Sequence, residues 1–181
     1  MVKRRLIIAI TMLLFALSGC INSTGSDKNV TISEIQGCTH VSPYAGKYIG
    51  EVQGVVTKKT ENGFVIQSIQ PDDQICSSEA IFIFTSSYSN VLSGDLVSVT
   101  GKVQEYFENS RDSFDLSQTE ITDAKVRITS HIDELPSPVM LGTKGYAFPV
   151  KIIEDDSMEV FDPVNDGLDY FESLEWMRVK L

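Results

Sequence analysis

Basic residues are scarce in this 181-residue chain: 15 Lys and Arg stand against 25 Asp and Glu, a formal charge of −10. Duplex DNA is held chiefly by Lys and Arg on its phosphates, so a large basic surface for it is excluded. Gly (12) and Pro (6) are too few for a collagen-like or wholly disordered chain. Histidine is rarer still, with only His40 and His131. Neither has a Ser or Cys nucleophile or a ligand partner nearby in sequence, so both are expected to be structural. No apolar run is long enough to cross a bilayer. The longest, Leu6 to Leu17, is interrupted only by Thr11; as a helix it would rise about 18 Å against a hydrocarbon core of roughly 30 Å.

That short run has a different use. Lys3, Arg4 and Arg5 precede it and Leu17-Ser18-Gly19-Cys20 closes it, the basic, apolar and small-residue order of an export signal. The closing tetrad looks like a lipobox, in which Cys20 is acylated and the chain cut just before it. More than one acyl chain gives stable anchoring, so the expected location is the outer side of a membrane, as a lipoprotein. A cleaved secretory signal with a coincidental Cys is the alternative. Ile21 to Asn29 is small and polar, a flexible tether. Without residues 1–19, 12 basic residues face 25 acidic ones.

If Cys20 carries lipid, Cys38 and Cys76 remain as an even pair, and an oxidising compartment favours a disulfide between them. A metal site and two free thiols are the competing readings; structural zinc needs four ligands, and no His lies at a suitable spacing.

From Lys47 onward the apolar pattern alternates with period two, as half-buried strands do. Strands are expected at 47–60, 64–69, 80–85, 96–106 and about 119–129, with Asn62-Gly63 as a hairpin turn. Gly50 and Gly54 mark places where the long first strand can bulge or bend. No sustained helical period interrupts the series. The expected class is mainly β: an OB-fold-like, five-stranded Greek-key barrel with an N-terminal signal helix and an irregular acidic C-terminal extension. A small sandwich is the runner-up. The division is 1–19 signal peptide, 20–31 tether, 32–129 barrel, and 130–181 extension with the start of a second β segment.

Several stretches resemble a family of predicted extracellular nucleases. The likeness begins at Ile32-Ser33-Glu34-Ile35-Gln36-Gly37, with His40, Ser42-Pro43 and Gly46. It continues through Gly54-Val55-Val56-Thr57, Gly63-Phe64, Gln67, Ser78 to Ile83, Gly94 to Val97, Val99, Gly101, Leu135-Pro136 and Pro138-Val139. It is most specific in Phe161-Asp162-Pro163, Asp166 to Glu175 and Met177-Arg178-Val179. Trp176 stands where that family is expected to have Gly. The resemblance implies a non-catalytic, OB-like N-terminal module that precedes an endonuclease/exonuclease/phosphatase-type domain. That domain uses His, Asp, Asn and Glu residues with a divalent metal, and no such constellation occurs here. The chain ends at Arg178-Val179-Lys180-Leu181, an apolar strand without a partner in sequence, which reads as a truncated or partial chain. No catalytic residue is assigned, and no enzyme activity is expected.

Two candidate sites follow. Single-stranded nucleic acid would stack on Phe64, Phe82, Phe84 and Tyr106, with phosphates on Lys58, Lys59, Lys102, Arg111, Lys125 and Arg127. Phe82 and Phe84 share one face of a strand and Ile81 and Ile83 the other, so either a ligand or a covering segment within 130–153 meets the outer pair. The second candidate is a cation site. Residues 154–175 carry nine acids and no base, and Asp162, Asn165, Asp166 and Asp169 offer the oxygens Ca²⁺ prefers, though without EF-hand spacing. A solvated acidic loop is the competing reading. The partners expected are thus a membrane, single-stranded nucleic acid and a catalytic nuclease domain. The alternative is a surface lipoprotein that holds a protein or glycan.

Overall fold

Thr31 starts the first element with a reciprocal cap. Its hydroxyl accepts from the Glu34 amide at 3.1 Å, and the Glu34 carboxylate accepts from the Thr31 amide at 2.9 Å. This capping box satisfies two otherwise orphaned donors and opens α1, Ile32–Gln36, which the sequence reading did not anticipate. Gly37, at φ +71°, ends it. In the computed structural model, the residues described are 29–87, 89–108, 116–142, 146–149 and 152–181. The signal peptide, Cys20 and most of the tether lie outside them.

Five strands follow, each within two residues of its expected bounds: β1 Tyr48–Lys59, β2 Gly63–Gln67, β3 Ala80–Phe84, β4 Asp95–Tyr106 and β5 Gln118–His131. Hydrogen-bonded neighbours run β1-β2-β3-β5-β4 and return to β1, so the sheet closes into a ring with no free edge. All pairs are antiparallel except β3 with β5. The β1–β4 register shifts between Ile49 and Val52, around Gly50, as expected. At Gly54 there is no shift. A Cβ there would sit 3.0 Å from that of Ile66, so the glycine serves close packing.

The ring's interior is one apolar cluster in which Val52, Val56, Phe64, Ile66, Ile81, Ile83, Val97, Val99, Val103 and Ile121 are buried. Each such side chain contributes about 1.5–3 kcal/mol by leaving water. Ile32 and Ile35, three residues apart on one face of α1, join the same cluster. A disulfide joins Cys38, just past α1, to Cys76 in the loop before β3, with the Cα atoms 4.9 Å apart. The expected pairing is present.

The extension is less irregular than its composition implied. It forms β6, Val139–Met140, then α2, Gly167–Glu172, then β7, Val179–Lys180. Val179 pairs in parallel with Val139, so the terminal strand does have a partner. The tail returns to the ring. The Arg178 amide donates to the Gln67 side chain at 3.0 Å, and the Ser78 hydroxyl to the Glu175 carbonyl at 2.6 Å. Trp176 and Met177 pack on Val65, Ala80 and Phe82 outside the ring. Among the described residues, Trp176 and Met177, and none of 130–153, pack on that outer apolar cluster.

Candidate ligand-binding groove

Strand alternation decides which side chains leave the ring. Outward from β3 point Phe82 and Phe84; from β5, Gln118, Glu120 and Thr122; from β4, Lys102, Gln104 and Tyr106. Their registers align, with Phe82 and Gln104 opposite Glu120, Lys102 opposite Thr122, and Tyr106 opposite Gln118. Thr60 and Asn62 from the β1–β2 turn, Thr85 and Ser86 after β3, and Trp176 form the walls of a groove of about 890 Å³.

Trp176 is the wall residue that sequence reasoning did not select. Its ring stacks on Phe82 at 5.1 Å and 22°, and the Lys58 ammonium lies 5.7 Å above it. The backbone there has φ +60°, the left-handed region glycine adopts without cost. A Trp at that position costs about 1–2 kcal/mol, which the stack and the covered apolar surface offset. The conformation also explains why glycine was expected at 176. The indole N–H has no partner among the described residues.

The expected nucleic-acid residues divide sharply. Phe84, Lys102 and Tyr106 line the groove, Phe82 forms its base beneath Trp176, and Lys58 stands at its rim. Phe64 does not: its side chain is fully buried inside the ring, because it pairs with inward-facing Ile83. Lys59 alternates to the other face of β1, near Asp95, whose carboxyl pKa is lowered first by the Leu92 amide, then by His131, with a smaller share from Lys59. Arg127 is held by Glu51 at 2.8 Å on another part of the surface, and Lys125 is exposed away from the groove. Arg111 lies outside the described residues. The Asp123 carboxylate on the groove wall accepts from the Tyr48 hydroxyl at 2.9 Å. The Glu120 carboxyl accepts nothing from the described residues, and burial alone raises its pKa.

The acidic turn regroups the cation candidates. Carboxylate oxygens of Glu154, Asp166 and Asp169 lie within 4.8 Å of one another, while Asp162 and Asn165 pair with each other at 2.9 Å outside that group. Nor is the turn simply solvated: Asp166 and Asp169 are buried. Asp166 caps α2 by accepting from the amides of Leu168 and Asp169. Asp169 accepts from the Asp162 amide and meets His40 Nε2, both at 2.6 Å. His40 also sits edge-on to Phe161 at 5.0 Å, and His131 Nδ1 meets Asp95 at 2.8 Å. Both histidines thus have carboxylate partners that hold them in place.

A third feature is the seam where the tail meets β4 and β5. Glu105 accepts from the Ser42 amide at 2.8 Å and from the hydroxyls of Ser117 and Thr119 at 2.6 and 3.1 Å. Glu175 accepts from the Thr119 amide at 3.0 Å. Burial, then the charges of Glu105 and Asp169, pushes the Glu172 carboxyl up to about 7. Burial, then Glu172 and Glu105, raises Glu175 well above the ordinary range.

No family, no curated protein and no solved structure matches this chain.

Proposed function

We propose that the chain is an exported, lipid-anchored binding module whose outer groove holds single-stranded nucleic acid, serving as the non-catalytic accessory part of an extracellular nuclease. The ring is read as an OB-type barrel. Strands β1 to β3 follow one another and β4 returns to lie beside β1; a Greek key has this 4-1-2-3 order, which supports the reading. OB-folds bind oligonucleotides on the face of strands 2 and 3 and the first and fourth loops. In this chain Trp176 and Met177 cover that face at Val65 and Phe82, and the groove lies beside it on β3, β5 and β4. Here the groove lies between the β1–β2 turn at Thr60 and Asn62 and the ends of β4 and β5 at Tyr106 and Gln118.

The observation that carries the reading is the combination of Phe84, Tyr106 and Trp176 with Lys58 and Lys102 around one groove. Aromatic faces supply about 1–3 kcal/mol per stacked base, and two ammonium groups suffice to orient a short backbone. Lys58 and Lys102 share the groove with Glu120 and Asp123, so any phosphate contact is made by individual ammonium groups and not by a net positive field. The lipobox-like Leu17-Ser18-Gly19-Cys20 supports the location, and the sequence resemblance to extracellular nucleases supports the catalytic partner.

Trp176, the sole tryptophan, reports binding directly. Titrating the full-length chain in detergent with a thymidine octamer should quench its fluorescence saturably. Two neutralised phosphates predict a slope of log affinity against log salt of about −1.4. An unchanged emission spectrum, or binding indifferent to salt, counts against nucleic acid. The neutral lining of Asn62, Gln104, Gln118, Thr85 and Thr122 favours a glycan as the second reading; oligosaccharides in the same titration would then quench instead.

A further inference from the structure

Glu120 sits at the centre of the groove floor, between Phe82 on β3 and Gln104 on β4. It is 6% exposed, yet its carboxyl has no hydrogen bond or ion pair to any described residue, Lys102 on the same face included. Most of the side chain is covered while its oxygens meet the solvent of the open groove, and strand propensity gives no reason for a glutamate there. A carboxylate that makes no contact with the described side chains and faces a groove with aromatic walls is placed to accept from the donors of a ligand.

Resting on the single-strand reading above, we propose that Glu120 makes the groove selective for guanine, by accepting from the N1–H and N2–H of one unpaired base. An ionised carboxylate offers two adjacent acceptors and no donor. Guanine alone among the bases presents two adjacent donors on its pairing edge. The exposed Gln104 amide, directly across in register, supplies the donor for guanine O6. Thymine places carbonyls on both sides of its N3–H, and adenine and cytosine each put a ring acceptor beside their amino group, so all three set lone pairs against the carboxylate. Good bidentate pairs of this kind discriminate about tenfold or more.

The test uses the full-length chain in detergent, with a thymidine octamer and the same octamer carrying one central guanine. The expected result is at least tenfold tighter binding of the guanine oligomer, reduced to within about twofold in Glu120→Gln. Thermal melting shows whether the variant is folded, and removal of an unpartnered charge should leave it at least as stable as the parent. Equal affinities for both oligomers in the parent chain overturn the guanine assignment and leave single-strand binding intact. A preference that survives Glu120→Gln also overturns it, because another group is then reading the base. No binding of either oligomer overturns this inference and the reading beneath it together.

Discussion

Replacing Glu172 with glutamine tests whether the tail is seated on the ring as described. In the folded protein this carboxyl is pushed up to about 7 by burial and by Glu105 and Asp169, from an ordinary value of 4.5. Between those pH values the folded chain keeps a proton that the unfolded chain has released. Stability is therefore fully present below about pH 4.5 and is lost as pH rises toward 7. At about 1.36 kcal/mol per unit, the loss is about 3 kcal/mol. Glu175 shifts in the same direction and steepens the trend. Glutamine has nearly the same shape and never ionises, so Glu172→Gln should melt within a degree or two of the parent at pH 4.5. At pH 8 it should melt roughly 6–10 °C higher, at a few degrees per kcal/mol for a domain of this size. Scanning calorimetry from pH 4.5 to 8 measures both curves. Parallel curves, with the variant no better at pH 8 than at pH 4.5, would mean that Glu172 is open to water and the seam is misread.

Two further changes probe the same scaffold. Replacing Cys38 and Cys76 by serine opens a loop closed over a sequence separation of 38 residues; urea titration should find the variant about 4 kcal/mol less stable than the oxidised parent and no different from the reduced parent. Thr31→Ala removes the acceptor for the Glu34 amide and one half of the capping box. It should cost about 1 kcal/mol by urea denaturation, and a neutral result would mean that α1 is held by Ile32 and Ile35 alone.

The strands were legible because alternation persists along each of them and Asn62-Gly63 marks the hairpin. Which face turns inward was not legible for β2. All five of its residues are buried, since the ring covers one side and the tail the other. Phe64 and Val65 therefore carry no polar contrast, and Phe64 was assigned to the wrong side. The short α1 has too few residues for a helical period, yet Thr31-Ile32-Ser33-Glu34 is a capping signature that could have located it. Trp176 had a local mark only as an unexpected residue at a turn; its stack on Phe82 is a contact distant in sequence, which no local pattern encodes. Glu120 alternates with Ile121 in the manner of a solvent-facing residue. Only its neighbours across the sheet, Phe82 and Gln104, crowd it to 6% exposure, and those pairings are distant in sequence.

The position of α1 bears on how the molecule answers to mechanical load. A pull on the chain upstream of residue 29 reaches Val30 first, whose amide donates to the Glu51 carbonyl, then Ile32 and Ile35, and the withdrawal of these three from the core cluster is the step that would yield. Beyond it the tension meets the Cys38–Cys76 covalent link and passes into the loop ahead of β3, bypassing the first two strands. A module tugged from its N-terminal side would thus give up one short helix while the groove on β3, β5 and β4 stays assembled.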